Sequence, residues 1–121
     1  PADQGPLLRR WRIPHRWIGR DYSIVGVQDL DIIPLLHRIG RVTFFTQDDD
    51  FFKARLCHPA YCLVFLDVRA DDAAGTLRRF LRYRRFDTAS KRMGIVARAH
   101  SDGIQFWQRN RAALQRAAWA S

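Results

Sequence analysis

Two short runs of almost unbroken apolar residues constrain the fold of this chain more than any other feature. The first is the run 41–46, Arg-Val-Thr-Phe-Phe-Thr, and the second is the run 62–68, Cys-Leu-Val-Phe-Leu-Asp-Val. Runs of this kind lack the polar–apolar alternation of a half-exposed strand, and they are typical of β-strands that are buried on both faces. A shorter β-branched run at Ser23–Val27 predicts a further strand. Strands of this type belong mainly to parallel sheets that are covered by helices.

The segment between the runs 23–27 and 41–46 has the features of a helix over Ile32–Ile39. Asp31 directly precedes it and is a suitable N-cap residue, which places Pro34 in the first turn. The missing N–H of proline costs no hydrogen bond there, and Gly40 is a suitable residue to end the helix. Asp29 is the alternative cap, but it would move the proline deeper into the helix, where it would remove a hydrogen bond.

The other segments complete the predicted order of elements. We expect a short helix and a turn over Pro6–Gly19, a short helix over Phe51–Leu56, a longer helix from Asp71 or Asp72 to about Arg85, strands over Gly94–Ala99 and Ile104–Gln108 joined by an Asp102-Gly103 turn, and a basic helix over Asn110–Ala120. Strands that alternate with helices predict an α/β fold with a mainly parallel sheet. The length of 121 residues fits a single domain.

The charge of the chain indicates an anionic partner. Its formal net charge is +9, and its 21 basic residues are 19 arginines and two lysines. Arginine binds a phosphate through two parallel hydrogen bonds, so a basic domain of this size is expected to bind nucleic acid or an anionic surface. A biased genome is an equally good explanation of the ratio of arginine to lysine, although it does not explain the net charge.

The cysteines and the hydropathy indicate the compartment. No apolar run approaches the roughly 20 residues that cross a bilayer, and no signal peptide is recognised, so we expect a cytoplasmic protein with no membrane partner. Cys57-His58 and Cys62 resemble half of a zinc site, but no second pair of ligands follows at close spacing. Buried thiols in a reducing compartment are the preferred interpretation.

Three consecutive aspartates follow the first apolar run, at positions 48–50. Ligands of α/β proteins bind at the carboxyl ends of the parallel strands, and this is where the aspartates would lie. Carboxylates this close repel one another, and a divalent cation removes the conflict. In an extended segment, Asp48 and Asp50 would point the same way, while Asp49 would point elsewhere or cap the short helix. A polar turn with an N-cap and no metal is the competing interpretation.

The segment Thr46–Phe51 resembles the Thr-x-Asp-x-Asp-Phe segment of the PIN-like nuclease superfamily, in particular short bacterial members that are often paired with an antitoxin. Further matches are Asp31 before a helix, Gly40-Arg41-Val42 before the strand, and the hairpin with its turn at Asp102-Gly103. The resemblance places the first acidic residue of the family at Asp3, within Ala2–Leu7.

This resemblance implies a three-layer α/β/α sandwich, closed by a hairpin and a C-terminal helix. It further implies a metal-dependent endoribonuclease that cleaves single-stranded RNA and leaves 5′-phosphate and 3′-hydroxyl ends. The implied ligands of Mg²⁺ or Mn²⁺ are Asp3, Asp31, Asp48 and Asp50. The implied substrate-binding residues are Thr46, which would orient a carboxylate or a water, and Arg41 and Arg69, which would contact phosphate. An antitoxin protein is the implied partner, and exposed aromatic residues and the basic tail leave a homodimer open.

One alternative function and the role of the arginines remain open at this level. A non-catalytic protein that binds nucleic acid or a partner on the same fold would keep the arginines and would not need aligned carboxylates. The arginines themselves form two runs, either of which would serve as an RNA surface, as a docking surface for an acidic partner, or as a solvated face. One run is Arg78, Arg79, Arg82, Arg84 and Arg85; the other is Arg9, Arg10, Arg12, Arg16 and Arg20, interleaved with Trp11 and Trp17.

Overall fold

The computed structural model describes residues 15–18, 21–26 and 32–119, and these residues form an α/β fold around one mixed sheet of seven strands. The strands lie side by side in the order of the sequence. They are β1 (His15–Ile18), β2 (Asp21–Gly26), β3 (Val42–Thr46), β4 (Tyr61–Leu66), β5 (Ile95–His100), β6 (Gly103–Gln108) and β7 (Gln115–Ala118). The four strands from β2 to β5 are parallel, whereas β1, β6 and β7 are antiparallel to their neighbours. The predicted parallel centre and the closing β5–β6 hairpin are therefore confirmed.

Three helices accompany the sheet: α1 (Ile32–Ile39), α2 (Ala73–Arg82) and α3 (Ala89–Arg92). The bounds of α1 are those predicted, and Gly40 ends it with a left-handed φ of 71° while its N–H donates to the Leu36 carbonyl at 3.0 Å. A β-carbon would be strained at this φ, which explains the glycine. Within the described part of the chain, no helix has the length and hydropathy that crossing a membrane would require.

Two predicted helices are shorter or different in the structure. In place of one short helix over 51–56 there are two 3₁₀ turns, Asp49–Phe51 and Ala54–Leu56, because Lys53 between them is extended (φ −139°, ψ 135°). The long helix ends at Arg82 and not at Arg85, because Tyr83 is also extended. This bend brings Phe86 into the core, where its ring stacks on Phe80 at 5.2 Å between centroids.

The prediction of a C-terminal helix is wrong. Residues 115–118 form β7, which pairs antiparallel with β6. Alanine favours a helix, but local preference is small compared with what packing supplies. Ala117 and the buried Trp119 contact the core, and the indole Nε1–H of Trp119 donates to the His100 carbonyl at 2.6 Å. The short helix followed by a turn that was expected over Pro6–Gly19 is not borne out at residues 15–18, which form β1; residues 6–14 and Gly19 lie outside the described residues.

Alternate residues of the central strands face two separate cores. On one face of the sheet, which we call the α1 face, α1 packs against Phe44, Leu63 and Val96. On the other, the α2 face, α2 packs against Phe45, Val64 and Ala97. Burial on both faces is what the two apolar runs predicted, and all five residues of β3 are buried.

Gly103 begins β6 at a point where β7 approaches very closely. A β-carbon there would overlap the carbonyl oxygen of Ala117 and lie 3.1 Å from the Cα of Ala118, both of which are backbone atoms that cannot rotate away. We therefore expect Gly103→Ala to lower the free energy of unfolding by about 2–3 kcal/mol. A urea titration followed by circular dichroism measures this change. Gly75→Ala is the matched control, since a β-carbon at Gly75 meets no atom within 4 Å, and we expect it to be neutral or stabilising. Equal midpoints for the Gly103 variant and the wild type would contradict the close packing of β7.

Candidate metal centre

The acidic segment lies at the carboxyl ends of the parallel strands, an end of the sheet that we call the carboxyl edge. Strand β3 ends at Thr46, and the 3₁₀ turn Asp49–Phe51 follows after two residues. Since β2 to β5 are parallel, the segments after β4 and β5 emerge at the same edge. The chain therefore puts its three consecutive aspartates where α/β folds bind ligands.

All three carboxylates of this segment converge. Asp48, Asp49 and Asp50 each offer one oxygen, and these oxygens lie within 4.8 Å of one another. In the part of the chain that the structure describes, this is the one group of three or more such side chains that is close enough to share an ion. We expected Asp49 to point away or to serve as the cap, but the structure has Asp48 in that role. Its Oδ1 accepts the Asp50 N–H at 2.9 Å, and the tight 3₁₀ turn that follows gathers the next two side chains.

The second carboxylate oxygen of Asp48 is the most informative atom of the cluster. Asp48 Oδ2 is buried, and it has no hydrogen-bond partner among residues 15–18, 21–26 and 32–119. A buried acceptor without a partner costs free energy, more so when it is charged. A divalent cation would satisfy this oxygen, and Asp49 and Asp50 are exposed enough to share the ion with water. Carboxylate oxygens completed by waters are the coordination that Mg²⁺ prefers, so the residues present fit such an ion.

The turn is fixed to the sheet on both sides of the carboxylates. Before them, Thr46 is 1% exposed, and its Oγ1 accepts the Asp48 N–H at 3.1 Å. After them, Phe51 is 6% exposed, and its ring lies edge-on to that of Phe44 at 5.3 Å between centroids. Thr46 therefore lies beside the cluster, and the turn that carries the carboxylates is held by a buried residue at each end.

The two arginines predicted to contact phosphate lie at opposite ends of the parallel strands. Arg69 is exposed and follows β4 at the carboxyl edge, where Gln47 Nε2–H donates to the Val68 carbonyl at 2.9 Å and ties the loops after β3 and β4 together. Arg41 directly precedes β3 and is therefore at the other end of that strand from the aspartates. With about 3.3 Å per strand residue, its Cα is separated from Asp48 by roughly 20 Å. The structure does not bring Arg41 to the cluster.

Two of the predicted ligands cannot be placed. Asp3 and Asp31 lie outside the described residues, and so does Asp29, the alternative to Asp31. The four-carboxylate site that the resemblance implies is therefore described at Asp48 and Asp50 alone.

An ion pair that the sequence analysis missed lies at the same edge. Asp67 follows β4 directly, and its Oδ2 lies 2.7 Å from Nε and 2.6 Å from Nη2 of Arg98. Arg98 Nη1–H also donates to Gln105 Oε1 at 2.6 Å, so the guanidinium is held from two sides. Thr46, Phe65 and Arg98 are in register across β3, β4 and β5, which places Arg98 roughly 10 Å from Thr46. The position of Asp67 near the C-terminal end of the predicted strand 62–68 was a signal for this residue, but nothing in the sequence indicated Arg98 as its partner.

The cysteines are structural. Cys57 packs with the α1-face core and Cys62 is fully buried in the α2-face core, so the sheet separates the two thiols. Burial raises the pKa of the Cys62 thiol to about 12, which keeps it protonated and unsuited to bind a metal. His58 is also committed, because its Nδ1 accepts the Ala60 N–H at 3.0 Å. The half zinc site is therefore not assembled.

Comparisons of this chain with models of protein families, with curated proteins and with solved structures give no match.

Proposed function

We propose that the protein is a metal-dependent ribonuclease that cleaves single-stranded RNA at the carboxyl edge of its sheet. The observation that carries the proposal is the convergence of Asp48, Asp49 and Asp50, one oxygen of each lying within 4.8 Å of the others, in a residue group whose Asp48 Oδ2 is buried without a partner among the described residues. Asp48, Asp49 and Asp50 hold Mg²⁺ or Mn²⁺. The resemblance to PIN-like nucleases adds Asp3 and Asp31 to this set. The parallel centre and the closing hairpin support that fold, with α1 and α2 as the outer layers of a three-layer sandwich.

A divalent cation at this site, when bound, supplies an activated water and stabilises the charge that develops on the leaving oxygen. The residues of the chain position these groups. Thr46 Oγ1 accepts the backbone N–H of Asp48, and Asp48 Oδ1 accepts the Asp50 N–H, so Oδ2 is the oxygen of Asp48 that would remain for an ion. Arg69 is exposed at the same edge and contacts the phosphate of the substrate. As in the family that the chain resembles, an antitoxin protein would bind and block this edge.

The test is cleavage of a 5′-labelled single-stranded RNA by the purified protein, with Mn²⁺, with Mg²⁺ and with EDTA. We expect cleavage with either ion, none with EDTA, and products that carry 5′-phosphate and 3′-hydroxyl ends. A contaminating metal-independent ribonuclease would instead leave cyclic phosphates and would resist EDTA. Binding of RNA without cleavage under any divalent ion would contradict the enzyme and favour the non-catalytic alternative.

A further inference from the structure

The outer surface of α2 and the 3₁₀ turn Arg84–Phe86 after it carry a dense group of cations. Five arginines of this surface are exposed, and we call them the arginine patch: Arg78, Arg79, Arg82, Arg84 and Arg85. The nearest carboxylate of the following segment, Asp87, is paired with Lys91 at 2.8 Å and interacts more weakly with Arg84, so one carboxylate faces five arginines and a lysine. The patch is therefore strongly positive.

Two members of the arginine patch lie over aromatic rings at the outer end of the α2-face core. The guanidinium of Arg79 is 4.9 Å from the ring centroid of Trp119, and that of Arg85 is 4.9 Å from the ring centroid of Phe106. Both distances are within the range of a cation–π interaction. Arg79 reaches from α2 to Trp119, the residue after β7, and Arg85 reaches from the 3₁₀ turn to Phe106 in β6. Together they cover the outer end of the α2-face core.

The rings under the two arginines are themselves fixed. Trp119 is anchored by its indole hydrogen bond to the His100 carbonyl, and Phe106 is 1% exposed with Phe86 edge-on to it at 5.1 Å. Arg85 Nη2–H further donates to Gln115 Oε1 at 3.4 Å. The two guanidinium groups are thus held in place before any ligand arrives, so less side-chain entropy is lost when they bind.

This arrangement discriminates between the anions that a basic surface attracts. Arg79 and Arg85 are each held over a ring and are exposed, so their guanidinium groups offer planar surfaces on which another planar, polarisable group stacks. The bases of single-stranded RNA are such groups, and they stack on arginine planes while the remaining arginines neutralise the backbone. A carboxylate-rich protein segment also pairs with arginine, through two parallel hydrogen bonds, but it lacks the bases that stack on a guanidinium plane.

We propose that the arginine patch binds single-stranded RNA, with bases stacked on Arg79 and Arg85. This inference rests on RNA as the substrate of the proposed function and adds a second contact region to it. Helix α2 begins at Ala73, just after the loop at the carboxyl edge, and its ten residues span about 15 Å. An RNA strand of several nucleotides therefore extends from the aspartates along the helix to the patch.

The test measures binding in EDTA, so that the RNA stays intact whatever the metal site does. A fluorescein-labelled 12-nucleotide oligouridylate and an abasic oligonucleotide of the same length are titrated with the protein and followed by anisotropy. The key variant is the double substitution Arg79→Lys and Arg85→Lys, which keeps every charge and removes both planar groups. Arg38→Lys is the matched control, because Arg38 is exposed on α1 at the opposite face of the sheet.

We expect the double variant to bind oligouridylate about tenfold more weakly, to bind the abasic strand within twofold of the wild type, and Arg38→Lys to change neither affinity. Unchanged oligouridylate binding in the double variant would overturn the proposal, since the patch would then act by charge alone. Equally tight binding of a polyglutamate peptide would overturn it in favour of an acidic protein partner. Stacked binding by a protein that never cleaves would support the patch and contradict the nuclease, so the two proposals fail separately.

Discussion

Asp48→Asn is expected to reduce Mn²⁺-dependent cleavage of single-stranded RNA by at least about 100-fold, the scale of removing one charge-stabilising group from an active site. The substitution neutralises the buried Oδ2 position and replaces one of its two oxygens with an amide nitrogen that cannot bind a cation. Asparagine is as good an N-cap as aspartate, so the hydrogen bond to the Asp50 N–H and the 3₁₀ turn are retained. Initial rates at saturating Mn²⁺ measure the effect.

The matched control for this substitution is Asp102→Asn. It removes the same charge from an exposed aspartate in the β5–β6 turn, where asparagine before Gly103 also suits a hairpin. We expect its cleavage rate to stay within twofold of the wild type. Equal losses in the two variants would mean that overall charge and not a metal ligand is responsible, and an Asp48→Asn protein with full activity would exclude Asp48 from the chemistry.

Phe51→Ala is expected to have the largest effect on stability among the substitutions near the site. The ring of Phe51 is buried and packs edge-on against Phe44, and its removal leaves a cavity beneath the turn that carries the carboxylates. Truncating a buried phenylalanine costs about 3–4 kcal/mol, which a urea titration of the variant would report. The same change removes the buried contact that fixes the turn Asp49–Phe51 to the sheet. The carboxylates are then less well positioned for the ion, so we expect the Mn²⁺ concentration required for half-maximal cleavage to rise as well.

Phe52→Ala serves as the comparison for Phe51. Phe52 is half-buried, and its ring is 6.5 Å from that of Phe65 in a tilted arrangement. With less area removed from water, we expect a loss of about 1–1.5 kcal/mol. If the two neighbours were equally destabilising, the turn would not be anchored through Phe51.

The fold could be predicted from the sequence wherever local signals and burial agree. The bounds of α1 followed from its proline and its terminal glycine, and the buried strands β3 and β4 followed from their unbroken apolar runs. The C-terminal strand could not be predicted, because its alanines favour a helix and the reason for a strand is the packing of Trp119 on residues far away in the sequence. Likewise, nothing local distinguishes the bend at Tyr83 from a continuing helix.

The site shows the same division. Adjacent aspartates after a buried strand were sufficient to predict the position of the cluster, but not which carboxylate caps the turn. The identity of the cap depends on where the turn begins. The segment forms a 3₁₀ turn that starts at Asp49 and not an α-helix, and the extended backbone of Lys53 ends this first turn before the next begins. Arg41 was predicted to bind the substrate, but it precedes β3 and the aspartates follow that strand. The length of the strand therefore separates Arg41 from the cluster. Asp67 was missed because its partner, Arg98, is 31 residues away.

The most direct test of the central claim, that Asp48 directs a buried oxygen at a divalent cation, is calorimetric titration of Mn²⁺ into the wild-type protein and the Asp48→Asn variant. We predict saturable binding to the wild type and an affinity at least tenfold lower in the variant, with circular dichroism spectra that superimpose. Binding of equal affinity in the two proteins, or no saturable binding in the wild type, would contradict the claim.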